Sequence, residues 1–156
     1  MKRKIFICVV MSFLFTILVS KEVFSQKNVV LPPEIEIVAP SNDVRPEIAA
    51  FSGKWEGVWD GQCYAVLVVE EIDNQEAKVT YAWGETGCGI TGRGFGRHKA
   101  KVSAGPPAKI EFGGGRYAKF TFEMKKDFKT INGFREFIDS MGSRGWNRVT
   151  MKRITE

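Results

Sequence analysis

The feature that most constrains the fold is a succession of short alternating strands from Phe51 to the end of the chain. Aromatic and β-branched residues alternate with polar ones, and Gly, Asn and Asp separate the runs. This spacing is typical of an all-β meander. We predict about eight strands: Lys54–Asp60, Tyr64–Ile72, Ala77–Trp83, Arg93–Ser103, Ala108–Phe112, Lys119–Lys125, Thr130–Phe137 and Asn147–Ile154. Because closure removes exposed strand edges, a small antiparallel up-and-down β-barrel over residues 51–156 is the expected fold.

The segment before the barrel has two parts. Residues 1–4 are basic, residues 5–19 are apolar, and Ser25 ends a stretch that resembles a signal-peptidase site. We therefore expect a signal peptide over residues 1–25 and export to the periplasm or the medium. The alternative is a retained signal anchor, but the apolar run is shorter than the roughly 20 residues that span a bilayer, so no membrane span is expected after cleavage. Residues 26–50 contain four prolines and no sustained periodicity, which predicts an extended arm or linker.

The charge of the mature chain argues against a nucleic-acid partner. Removing residues 1–25 takes away four cations and one carboxylate, which lowers the formal charge from +5 to +2. Lys and Glu are interspersed along the remaining strands. Phosphate binding requires a concentrated basic surface, and no such run is present in the sequence.

The mature chain keeps two cysteines, Cys63 and Cys88. An even number in an oxidising compartment predicts one disulfide. Metal ligation is the alternative, but His98 is the only histidine and two thiolates do not complete a tetrahedral zinc site. We expect neither a metal nor another cofactor.

The titratable residues do not form a recognisable catalytic arrangement. His98 lies between two basic residues and has no nucleophile or acid in its motif, so we expect it to face solvent. Glu70 and Glu71 are adjacent on one strand and point to opposite faces, so they cannot act on one substrate and are expected to be solvated. The sequence therefore predicts a protein that is not an enzyme.

A glycine-rich stretch interrupts the fourth predicted strand. Gly92, Gly94 and Gly96 occupy alternate positions, which leaves one strand face bare. A phosphate-binding loop would need a helix directly after it, and the pattern predicts none. A close approach of another segment is the favoured interpretation, and a close approach of a ligand is the alternative.

The inner face of the predicted barrel carries the candidate ligand-binding residues. Alternation places four aromatic side chains there, and either a filled core or a ligand cavity would explain them: Tyr81, Trp83, Phe120 and Phe122. The register of the seventh strand is ambiguous and turns either Arg135 or Glu136 inward. An inward charge is costly unless it is paired or contacts a ligand, so Arg135 joins the candidates.

The segment Ser52-Gly53-Lys54-Trp55 at the start of the first strand resembles the opening of calycin-type barrels such as lipocalins and avidins. This resemblance implies that Trp55 closes one end of the barrel and that a basic side chain of the last strand, here Arg153, packs across it. The same segment followed by Cys63 and Cys88 is also similar to the secreted inhibitors of bacterial metalloproteases. That likeness implies one disulfide and an arm that reaches into a protease cleft.

These observations lead to two functional hypotheses. The first is an exported, non-catalytic barrel that binds a small apolar or amphipathic molecule or serves as a recognition module. The alternative is a protease-inhibitor-like protein whose N-terminal arm contacts a secreted protein partner.

Overall fold

The structure is a computed structural model that describes residues 28–60, 62–85, 92–113 and 118–155. It contains one short helix and eight strands within those residues: α1 Pro46–Ala49, β1 Gly53–Trp59, β2 Cys63–Ile72, β3 Glu76–Trp83, β4 Gly94–Ser103, β5 Lys109–Gly113, β6 Ala118–Met124, β7 Thr130–Ile138 and β8 Arg144–Arg153. Each strand pairs antiparallel with its neighbour in sequence, and β8 returns to pair with β1. The predicted up-and-down barrel is confirmed, and the predicted signal peptide lies outside the described residues.

The core fills the barrel because every strand turns its apolar set inward. Strand β3 illustrates the alternation, since Ala77, Val79 and Tyr81 belong to the core whereas Lys78 is exposed. The largest fully buried side chains come from seven of the strands and from the segment before them, and they include the following residues: Ile48, Phe51, Trp55, Leu67, Val79, Ile110, Phe122, Ile131 and Met151. The interior is therefore one contiguous apolar core.

One end of the barrel, here named the closed end, is covered by the segment that contains α1. Val44, Ile48 and Phe51 of this segment are buried in the barrel core. The opposite end, here named the mouth, is formed where β1, β3, β5 and β7 finish and where β2, β4, β6 and β8 begin. The closed end is thus plugged by the chain itself.

The arm lies along the outside of the barrel wall from residue 28 onward. Its apolar side chains Val29, Leu31 and Ile35 pack on the outer face of β2. Hydrogen bonds fasten it to the wall, among them the following: the Val38 amide donates to the Glu70 carbonyl at 2.8 Å, the Arg97 guanidinium donates to the Glu34 carbonyl at 2.7 Å, and the Arg93 guanidinium donates to Asn28 Oδ1 at 2.7 Å. The described part of the arm is thus a strap on the barrel.

The strap overturns the expectation that Glu70 is solvated. The residue is only 3% exposed, and the Thr80 hydroxyl donates a hydrogen bond to its carboxylate at 2.5 Å. Strand β2 is buried on both faces because its outer side chains lie beneath the strap. The alternation within β2 could not predict this burial, because the segment that covers Glu70 is more than 30 residues away in sequence.

Candidate functional site

The mouth is the region where sequence-predicted site residues meet. Its inner surface combines rings, glycines and polar groups from six strands: Trp83, Gly94, Gly96, His98, Phe112, Phe120, Arg135, Phe137, Gly145 and Asn147. The candidates Trp83, Phe120 and Arg135 lie in this surface. Phe122 lies one inward position deeper on β6 and belongs to the core beneath the mouth.

A cluster of packed rings forms the floor of the mouth. The centroid of Phe120 lies 4.7 Å from that of Tyr81 and 5.2 Å from that of Phe112. Phe122 continues the cluster at 5.9 Å from Phe112 and 6.0 Å from Trp59. The exposed fractions of Tyr81, Phe120 and Phe122 are 4%, 4% and 0%, so these three candidates are packed core. They form the packed floor of the mouth and do not line a deep cavity.

Glycines in the wall make room for rings at the rim. A Cβ atom added to Gly94 would lie 2.9 Å from the indole of Trp83, and one added to Gly145 would lie 2.4 Å from the ring of Phe137. The Trp83 indole stacks on Tyr81 at 6.1 Å and donates a hydrogen bond to the Gly92 carbonyl at 3.1 Å. Gly94 and Gly96 therefore each allow the close approach of a ring, of Trp83 and His98 respectively, whereas Gly92 has φ of +78° and no atom near its Cβ position.

The pairing of β7 with β8 resolves the ambiguous register and turns Arg135 inward. Glu136 is opposite Trp146 and exposed on the outer face. The Arg135 guanidinium carbon lies 5.0 Å from the centroid of Phe137 and 6.0 Å from that of Phe120. A cation thus sits directly above the aromatic floor, where the ring faces attract it.

Burial determines the protonation state of Tyr81 in the floor. Desolvation raises the pKa of its hydroxyl well above the ordinary value of 10, and the nearby Trp59 indole and Arg135 charge only partly oppose this. The hydroxyl therefore stays protonated at neutral pH. It offers a neutral hydrogen-bond donor beside the Arg135 cation.

His98 faces the barrel interior, so the expectation of a solvent-facing histidine is wrong. Its half-buried imidazole stacks on Phe112 with centroids 5.0 Å apart. Burial lowers the imidazole pKa below 6.5, and a hydrogen bond to the Gly113 backbone only partly opposes this. The sequence did carry a signal, because His98 shares its strand face with Ala100 and Val102, two core residues.

The barrel-end pair that the calycin resemblance implies is in contact at the closed end. The Arg153 guanidinium carbon lies 4.3 Å from the centroid of Trp55, and Arg153 Nη1 donates to the Ser52 carbonyl at 2.6 Å. Trp55 Nε1 donates to the Phe51 carbonyl at 2.8 Å. Gly53 has φ of +116°, and a Cβ there would meet Arg153 Nη1 at 2.8 Å. This pair is remote from the mouth and holds the plug in place.

The remaining site predictions concern sulfur, metals and membranes. Cys63 is buried at the start of β2, while Cys88 lies outside the described residues, so their disulfide stays a prediction. Within the described ranges, no group of three or more His, Cys, Asp or Glu side chains could hold a metal ion. No helix in those ranges has the length and hydropathy to cross a membrane.

The comparisons with known proteins leave the family open. The closed antiparallel barrel of eight strands is consistent with a calycin-like fold. No protein-family model matches the chain, and a search of curated proteins finds no significant match.

Proposed function

We propose that the mature chain is an exported, non-catalytic binding protein of the calycin type that holds a small, partly apolar anion at the barrel mouth. The observation that carries this proposal is the inward cation of Arg135 above the aromatic floor. A guanidinium presents a planar set of donors that matches a carboxylate, and it also stacks on aromatic faces. A ligand with an apolar body and a carboxylate would be complementary to both the rings and the guanidinium.

The filled core sets the shape of the ligand. Because Tyr81 and Phe120 are packed against their neighbours, the bound molecule lies above them in a shallow site. Trp83 would contact its apolar body from the rim. Arg135 would donate charge-assisted hydrogen bonds to its anionic group, which gives the site a preference for acids over neutral molecules.

The position of the strap favours the mouth over the arm as the binding region. An inhibitor that works through its arm would present arm side chains to the protease. Here Val29, Leu31 and Ile35 instead pack on β2, and the backbone of Val38 is hydrogen-bonded to the wall. We therefore do not propose that this part of the arm inserts into a protease cleft.

Calorimetric titration with 2-naphthoate, a flat aromatic carboxylate, tests the proposal. Arg135→Gln should weaken binding roughly ten- to hundredfold, since a hydrogen bond to a charged group contributes about 1.5 to 3 kcal/mol. Arg148→Gln is the matched control, because Arg148 also stacks on two rings but lies on the outer wall of β8. The Arg148→Gln variant should bind 2-naphthoate with the affinity of the unaltered protein.

A neutral ligand gives the second control. The alcohol 2-naphthylmethanol should bind the unaltered protein more weakly than 2-naphthoate does. The Arg135→Gln variant should bind the alcohol and the acid with equal affinity. Thermal unfolding of each variant checks that the barrel is intact. Equal affinities of the Arg135 and Arg148 variants for 2-naphthoate would overturn the proposed site.

A further inference from the structure

The turn between β6 and β7, at the closed end, presents an aromatic side chain to solvent. Phe128 is 46% exposed and has φ of +53°, in the left-handed region. Bulky residues rarely adopt this conformation, which glycine or asparagine adopts at lower cost. Neither burial nor backbone preference therefore explains a phenylalanine at this position.

The turn is well ordered by its own hydrogen bonds. The Asp127 carboxylate accepts hydrogen bonds from the amides of Lys129 and Thr130, both at 2.9 Å, and from the Thr130 hydroxyl at 2.7 Å. The Phe128 amide donates to the Lys125 carbonyl at 3.0 Å. These contacts hold Phe128 in its exposed position and engage the only carboxylate of the turn.

Cations surround this aromatic side chain. Lys125, Lys126 and Lys129 of the turn are exposed, and exposed Lys152 of β8 lies opposite Thr130 in the neighbouring strand. On the other side of Phe128, a groove of about 1020 Å³ is lined by apolar Pro106, Pro107 and Met124 and reaches Arg45 and Glu47 of the plug segment. Five cations therefore face three carboxylates around one exposed ring, namely Asp127, Glu47 and Glu123. Of these, Glu123 is already paired with Lys109 at 2.6 Å.

From this arrangement we propose that the closed end docks on an anionic phospholipid surface. Phe128 would enter the headgroup region, and the lysines would lie against the lipid phosphates. The cations belong to three separate elements around a single ring. That distribution fits a uniformly charged surface better than the directional acid pairs of an acidic protein partner. This inference goes beyond ligand binding, since it uses the end opposite the mouth.

Flotation of the chain from residue 26 onward with lipid vesicles tests the proposal. Vesicles of equal parts phosphatidylglycerol and phosphatidylcholine should capture the protein, whereas phosphatidylcholine alone should not. Lys126→Gln should lower the partition coefficient about fivefold, as expected for one lysine at an anionic surface. Raising the salt concentration from 0.1 to 0.5 M should lower binding further, because screening shortens the reach of the surface charge.

Phe128→Gly separates docking from folding, because glycine suits the positive φ and should preserve or raise thermal stability. We expect it to lower the partition coefficient at least fivefold. Phe95→Ser is the matched control, since Phe95 is 42% exposed on β4, which begins at the mouth, and should bind as the unaltered protein does. Equal partition of the Phe128 and Phe95 variants would overturn the proposal. Binding to polyglutamate with none to anionic vesicles would overturn it in favour of an acidic polypeptide.

Discussion

At the scale of single residues, His98 shows how the barrel changes the properties of a side chain. Exposed imidazoles titrate near their ordinary pKa of 6.5, but His98 is half-buried against Phe112, and burial disfavours the charged form. The imidazole is therefore neutral at pH 7. It therefore adds no positive charge beside Arg135 at the mouth.

The lowered pKa of His98 predicts a pH dependence of stability. Since the folded pKa lies below the unfolded value, the unfolded state binds more protons as the pH falls through 6.5. The free energy of unfolding should therefore fall between pH 7 and pH 5.5, above the range where exposed carboxylates titrate. His98→Phe keeps a ring against Phe112 and should remove this change. Chemical denaturation at each pH measures it.

The same residue offers a direct measurement. His98 is the only histidine of the chain, so its imidazole proton signals in an NMR titration need no assignment. We expect the folded protein to give a pKa below 6.5. A value at or above 6.5 would contradict the inward, half-buried position.

At the scale of elements, the strands and their inner faces could be predicted because the sequence alternates with a period of two. Alternation of residues such as Val79 and Tyr81 with polar neighbours predicted the strands and their inner faces, and the structure confirms the fold. The position of the strap could not be predicted, because its contacts with β2 depend on tertiary packing between distant segments. The sequence also left the orientation of the Arg135 side chain undecided, because only the pairing of β7 with β8 determines which face it occupies.

The strap makes a prediction that two adjacent residues can test. Leu31 packs on the outer face of β2, whereas its neighbour Val30 is 40% exposed. Leu31→Ser should lower the free energy of unfolding by about 1 to 2 kcal/mol, because part of an apolar side chain loses its burial. Val30→Ser should change it by less than about 0.5 kcal/mol, as is usual at exposed positions. Equal effects in urea denaturation would mean that the strap is not fastened in solution.

At the scale of the whole molecule, the barrel has two chemically different ends. The closed end is plugged by Phe51 and by the Trp55–Arg153 pair, and it carries the cations around Phe128. The mouth carries rings, Arg135 and the Asp60 carboxylate, which accepts a hydrogen bond from Asn147 at 2.8 Å. The proposed ligand site and the proposed lipid-docking surface lie at opposite ends, so we expect one interaction not to block the other.

The predicted disulfide between Cys63 and Cys88 links the fold to the cellular compartment. Cys63 begins β2, and the Gly84 amide at the end of β3 donates to the Tyr64 carbonyl at 2.9 Å. The chain thus leaves β3 beside Cys63, four residues before Cys88. A disulfide closing this loop would contribute roughly 3 kcal/mol in the chain-entropy model. Its formation would require the oxidising compartment that export supplies.

Peptide mass spectrometry of the exported protein, digested without reduction, should recover Cys63 and Cys88 in one cross-linked fragment. The paired variant Cys63→Ala and Cys88→Ala should unfold at a lower denaturant concentration, and reduction should shift the unaltered protein to the same midpoint. Because Cys63 begins β2 at the mouth, the double variant should also bind 2-naphthoate more weakly while its partition onto anionic vesicles stays unchanged. Two free thiols in the exported protein would contradict the disulfide, and equal losses at both ends would contradict the independence of mouth and closed end.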